Sequence, residues 1–342
     1  MHLKINYFLL DWHLKKSGAF KQILIDPLHQ YCESNLFSWD GTSPLPQFFQ
    51  KDVISVFCQF PPPLDFPFED SNMVFWVPMW DYSYTRSLHW WKSLPKNLKI
   101  IAYSKEISRI ARKVQLRTLD LKFFIDPEKI PAVNWNTPTT LMYWNRTGLA
   151  NIDFLERMVK ELKIQCLIYG EFSDPNLYLP VDYTLPPRIG QANVEILPDF
   201  LPSSEYLHFL NQANIFLAPR NREGVGLSFL EAMGQGSSVF AYDAPTMNEY
   251  IQHKVNGILL PSIFPKKVEW IYLNFRRIRR RLEKWYKFSA GKYIYLLSPN
   301  QDWATIRNLD LEQIGSKARL DSIDGYIEWK KSIPGLAKFI LN

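Results

Sequence analysis

Two glutamates with seven residues between them, Glu223 and Glu231, bracket a stretch that carries glycines at 224 and 226. Ionised carboxylates form strong charge-assisted hydrogen bonds with the hydroxyls of a polyhydroxy ligand. Gly224 and Gly226 have no Cβ, so the loop backbone can press against such a ligand. A helix beginning near Leu227 would turn unpaired N–H groups and the positive end of its dipole to the same place, which suits a phosphate or a sugar oxygen. The plainer alternative is that these are turn glycines and solvated helix-capping glutamates.

The elements that must position this stretch can be read on either side of it. Strand-like runs at Leu3–Leu10, Val53–Phe60, Met73–Pro78 and Leu98–Tyr103 precede a helix from Lys105 to Val114, whose apolar face is Ile107, Ile110, Ala111 and Val114. A stretch from Pro127 to Pro138 without clear period reads as a linker. A second series follows: strand Thr140–Trp144, helix Ile152–Leu162, strand Ile164–Tyr169, helix Ser204–Gln212 and strand Ile215–Ala218. The Glu223 loop, helix Leu227–Met233, strand Ser238–Tyr242 and a short helix near Asn248–Gln252 complete it. Alternating strands and helices predict α/β units with parallel sheets, here two doubly wound domains facing a central cleft. Their expected bounds are 1–135 and 138–321, with a C-terminal helix, 322–342, packing back on the first. Ligands in such sheets lie beyond the carboxyl ends of the strands, where the glutamates are also expected.

The whole chain sets limits on what this apparatus serves. Its 342 residues are 46% hydrophobic, which suits two globular domains and excludes a disordered chain. Cys32, Cys58 and Cys166 form neither a paired framework nor a metal-ligand spacing, which favours a reducing, cytoplasmic setting. The apolar start is interrupted by Lys4, Asn6 and Asp11 and reads as a buried strand rather than a signal peptide. No run of about 18 apolar residues offers a membrane span.

The run from Leu201 through Ala213-Asn214-Ile215-Phe216-Leu217-Ala218-Pro219, the Glu223–Glu231 segment, Ala232-Met233-Gly234-Gln235-Gly236 and Asn248-Glu249-Tyr250-Ile251 to Asn256-Gly257 resembles the retaining GT-B glycosyltransferases of the family 4 type, with their E-x7-E donor motif. About sixty consecutive residues share the order. The resemblance implies a GT-B fold, a nucleotide diphosphate sugar as co-substrate, and no metal or other cofactor. It assigns donor-sugar hydroxyls to Glu223, backbone N–H groups at Gly224, Val225, Gly226 and Leu227 to the sugar and diphosphate, and ribose hydroxyls to Glu231. The absence of any D-x-D triplet agrees with metal-independent neutralisation of the leaving diphosphate by cations and a helix end.

The cations depart from that pattern. Arg146 stands at the matching place for one arm of the diphosphate clamp, but Leu149–Phe154 contains no lysine for the other. Arg220 and Arg222 could replace it or could be surface charges. In the first domain, Ser17-Gly18-Ala19 occupies the place of the donor-facing glycine loop, or is a helix-start turn. Asp81 could act as general base toward the acceptor hydroxyl, or could be the N-cap of the next helix. His13, after the first strand, reads as a packed or surface histidine. In front-side displacement the leaving phosphate itself helps to deprotonate the acceptor.

From Ile271 to Phe288, Ile271, Phe275, Ile278, Leu282 and Trp285 recur at helical spacing among Arg276, Arg277, Arg279, Arg280, Arg281, Lys284 and Lys287. Such a helix could lie on an anionic membrane surface, or could be a core-facing helix with a charged outer side. With no nucleic-acid motif and a net charge of +6, a nucleic-acid partner is not expected. The sequence thus points to a retaining glycosyltransferase, cytoplasmic or peripheral on the membrane. It would move sugar to a glycan or lipid-linked acceptor in polysaccharide or glycoconjugate biosynthesis. The alternatives are a non-catalytic transferase-like subunit and a sugar-nucleotide epimerase.

Overall fold

The computed structural model describes residues 4–45, 53–63, 66, 73–145, 152–171, 185–198, 201–218, 220, 222–261 and 302–342. The chain divides into two compact units. The first comprises Met1–Phe123, Glu223–Val225 and Ile327–Asn342; the second comprises Phe124–Arg222 and Gly226–Tyr326.

The first unit is built on β1 (Lys4–Leu9), β2 (Glu33–Ser38), β3 (Ile54–Cys58), β4 (Val74–Val77), β5 (Lys99–Ala102) and β6 (Thr118–Asp120). They form a six-stranded sheet in the order β2-β1-β3-β4-β5-β6, parallel throughout. Two π-helical segments, His13–Ser17 and Lys21–Ile25, and α1 (Asp26–Leu28) connect β1 to β2. The short helices α2 (Trp80–Ser83) and α3 (Leu88–Lys92) follow β4, and α4 (Lys105–Lys113) follows β5. The interior strands β3, β4 and β5 are buried along their whole length, as a parallel sheet covered on both faces requires. Much of the chain's aromatic content is spent here. Phe8 stacks on Phe57 at 4.6 Å, and Trp76 meets Trp91 at 5.1 Å.

The second unit carries β7 (Thr140–Asn145), α5 (Ile152–Glu161), β8 (Cys166–Glu171), β9 (Arg188–Ile189), β10 (Ala192–Ile196), α6 (Ser203–Asn211) and β11 (Ile215–Ala218). There follow α7 (Leu227–Gln235), β12 (Ser238–Tyr242), β13 (Ile258–Leu260), α8 (Trp303–Ile306) and the long α9 (Leu311–Leu341). The sheet order is β13-β12-β11-β7-β8-β10-β9, with β9 alone antiparallel to its neighbour. The expected short helix near Asn248 is a single 3-10 turn, Met247–Glu249.

The units part at Phe123, ahead of the expected boundary at 135, because the following segment is held by the second unit. In α9, Arg319 donates to the carbonyls of Pro127 and Ile130 at 3.3 Å, and the Tyr326 hydroxyl bonds Asp126 at 3.1 Å. Beyond Tyr326 the same helix counts with the first unit. There Trp329 meets Phe123 and Tyr103 at 5.3 and 6.2 Å, and Phe339 meets Phe75 at 5.7 Å. The basic stretch 271–288 lies outside the described residues. No described helix is long and apolar enough to cross a membrane.

Candidate active site

In the first unit, β4 ends at Val77 and the chain turns through Pro78 into α2. Met79, in extended conformation, is the N-cap of that helix, without a side-chain capping bond. Asp81 is therefore not the N-cap that the sequence allowed; it sits within the first turn, where a carboxylate opposes the helix dipole favourably. Its Oδ1 is shielded from solvent.

Against this turn lies Glu223–Val225. A Cβ built on Gly224 would stand 3.2 Å from Met79 Sδ and 3.3 Å from Asp81 Oδ1, so a side chain there would crowd both groups. Glu223 is 4% exposed, and its Oε1 accepts the Gly224 N–H at 3.1 Å. Val225 is buried beside them. Two carboxylates and a glycine backbone are thus collected in the first unit from positions more than 140 residues apart in the chain.

The other residues expected in this unit are placed elsewhere in it. His13 Nε2 lies 2.6 Å from Gln59 Oε1 and its ring meets the edge of Phe20, so the histidine is packed. Gly18 ends the first π-helical segment with φ 58°, a left-handed conformation that favours glycine. A Cβ there would meet nothing within 4 Å, so the backbone conformation, not crowding, calls for glycine.

In the second unit, Gly226 caps the start of α7 with φ 77° and ψ 54°. No side chain caps this end, and the first N–H groups of the helix have no acceptor within it. Leu227, the first residue of α7, is half-buried. One turn further, Glu231 is half-buried as a residue, but its carboxyl lies deep enough in protein that loss of hydration raises its pKa from the usual 4.5 to about 8, against the opposing pull of the Tyr206 side chain. Tyr206, on α6, packs its ring edge against Trp144 at the end of β7, 5.0 Å away. The far end of α7 is fixed by Gln235, whose Nε2 donates to the carbonyls of Leu210 at 2.8 Å and Ala213 at 3.0 Å, and by Arg319, which donates to the Gly234 carbonyl.

Arg220 and Arg222 are half-buried, and each has a partner. Arg146 lies outside the described residues. Among the described residues, no group of three or more His, Cys, Asp or Glu is placed to hold a metal ion. Sequence reasoning did not single out Met79 or Tyr206 as site residues. Tyr206 carried a usable signal, because a tyrosine on a helix beside a buried carboxylate needs a hydroxyl partner. Met79 carried none.

Residues 151–274 match the family Glycosyl transferases group 1. This segment, 124 of the 342 residues, is similar to a group 1 glycosyltransferase domain. That domain contains α7, both motif glutamates and the strands from β8 to β13. The fold is that of the GT-B glycosyltransferases, with two Rossmann-like units. Sucrose-phosphate synthase from Thermosynechococcus elongatus is 12% identical with a TM-score of 0.58, covering 99% of each chain. Anabaena Alr3699/HepE, solved with UDP and glucose, is 12% identical with a TM-score of 0.55, covering 98% of this chain and 100% of its own. The pneumococcal O-GlcNAc transferase GtfA, solved with UDP and GlcNAc, is 13% identical with a TM-score of 0.52. The match to GtfA takes in 84% of this chain, which spans only 57% of that protein's length. No curated protein is significantly similar in sequence.

Proposed function

We propose that the protein transfers a sugar from a nucleotide diphosphate sugar to a glycan or lipid-linked acceptor, with retention of configuration and without a metal. The observation that carries this reading is the buried carboxyl of Glu223 on its own loop, with an Asp81 oxygen beside Gly224. Glu223 accepts donor-sugar hydroxyls, and the backbone from Gly224 to Leu227 faces the sugar and diphosphate. Glu231 accepts the ribose hydroxyls. The start of α7, with Arg146, Arg220 and Arg222, balances the charge that builds on the leaving diphosphate. Asp81 receives the acceptor proton, or orients the acceptor while the departing phosphate receives it.

Two of the similar structures were solved with UDP, together with glucose in one and GlcNAc in the other, so uridine donors are the first to test. The assay is release of nucleoside diphosphate across a panel of nucleotide sugars. Turnover of at least one donor is expected. A second reading, a non-catalytic transferase-like subunit, is favoured by the absence of a lysine from Leu149–Phe154. Binding of a nucleoside diphosphate without turnover of any donor would select it.

A further inference from the structure

Beyond the carboxyl ends of β3 and β4, the first unit carries a cation that no carboxylate balances among the described residues. Arg86 follows α2, and its Nη2 donates to the Tyr82 hydroxyl at 2.7 Å. Its guanidinium carbon lies 5.3 Å from the centre of the Tyr82 ring and 4.8 Å from that of the Trp90 ring. Tyr82 is itself braced edge-on by Phe60 at 4.6 Å. Between the two rings the guanidinium has little freedom to reorient.

Ring contacts explain how Arg86 is held but not how it is satisfied. A guanidinium has five N–H donors. One meets Tyr82, while Nε is buried without a hydrogen-bond partner. Among the described residues, no carboxylate lies within salt-bridge distance of it. Elsewhere in the unit, Arg109 and Arg112 reach Glu106 and Asp120. A half-buried, oriented and unbalanced guanidinium is matched to a planar or tetrahedral oxyanion, which it can meet with two parallel N–H bonds. The flanking rings of Tyr82 and Trp90 offer apolar surface for the body of such a ligand.

We propose that Arg86 reads an anionic group, a phosphate or carboxylate, on the acceptor, so that the enzyme prefers acidic glycans or phosphate-bearing acceptors over neutral ones. Asp81, the residue assigned to the acceptor hydroxyl, belongs to the same short helix α2 as Tyr82, the partner of Arg86. This inference rests on the proposed transfer reaction and on the first unit as the acceptor side.

The test is calorimetric titration of the full-length protein, saturated with UDP, using four probes: methyl α-glucoside, its 6-phosphate, methyl glucuronide and inorganic phosphate. The charged sugars are expected to bind at least about tenfold more tightly than the neutral one, the gain of one charge-assisted hydrogen-bond pair. Arg86→Gln should abolish that preference, and Arg86→Lys, which keeps the charge but loses the fork, should retain only part of it. The phosphate and glucuronide arms identify which anion is read. Equal or absent binding of charged and neutral sugars by the unaltered protein overturns the inference. So does a preference that survives Arg86→Gln, or inorganic phosphate binding as tightly as the phosphosugar. Titration of UDP, GDP, ADP and dTDP alone separates the two levels: without binding of any of them the transfer reading fails, and with binding, the tight one replacing UDP in the probe titrations, only the anion reader is at issue.

Discussion

Replacing Glu231 by glutamine should change how stability depends on pH. In the folded protein the carboxyl releases its proton near pH 8, whereas in the unfolded chain it does so near 4.5. Between these values the unfolded state binds fewer protons than the native state, so stability falls as pH rises. The contribution is fully present below pH 4.5 and lost by the time pH passes 8. The full displacement corresponds to a ceiling of about 4–5 kcal/mol. Because the residue keeps partial exposure, solvent screening lowers the expected loss to about 1–3 kcal/mol. Urea unfolding of the unaltered protein and Glu231→Gln at pH 5, 6, 7, 8 and 9 isolates this residue, since every other titrating group is common to both. The stability of the unaltered protein relative to the variant should decline by that amount from pH 5 to 9. A difference that stays flat across this range would refute the claim that burial governs this carboxyl.

Other outcomes follow from the same geometry. Tyr206→Phe removes a hydroxyl that lowers the pKa of Glu231, so carboxyl titration followed by NMR should move to still higher pH. Gly224→Ala puts a methyl 3.2–3.3 Å from Met79 Sδ and Asp81 Oδ1, so it should displace these side chains and lower transfer activity, read as kcat in the transfer assay. Gly226→Ala places a side chain at φ 77° and should cost about 1–2 kcal/mol, read in thermal unfolding.

What was legible in the sequence was local. Parallel strands buried on both faces appear as continuous apolar runs, so β1, β3, β4, β5, β7, β11 and β12 were found within a residue or two. The glycine-and-carboxylate spacing of Glu223–Glu231 was legible for the same reason. Strand β2 was missed because it is a sheet edge whose residues, Glu33, Ser34, Asn35 and Ser38 among them, show no apolar alternation. Helix α9 was expected to begin at 322, yet it starts at Leu311; Gly315, a poor helix former, lies in the stretch left out. Two glycines of this helix have a packing role: Gly315 lets it meet the backbone at Gly236, and Gly325 lets it meet the Phe124 ring. The proximity of Gly224 to Met79 and Asp81 has no local signature at all, since it depends on which unit Glu223–Val225 joins.

The central claim is that sugar transfer runs through the Glu223 loop. Its most direct test uses whichever nucleotide sugar the protein turns over and compares kcat for the unaltered protein and Glu223→Gln, with binding of that donor's nucleoside diphosphate measured on both. The expected result is a loss on the order of 10²-fold in kcat with nucleoside diphosphate affinity retained. Undiminished turnover by Glu223→Gln would contradict the account.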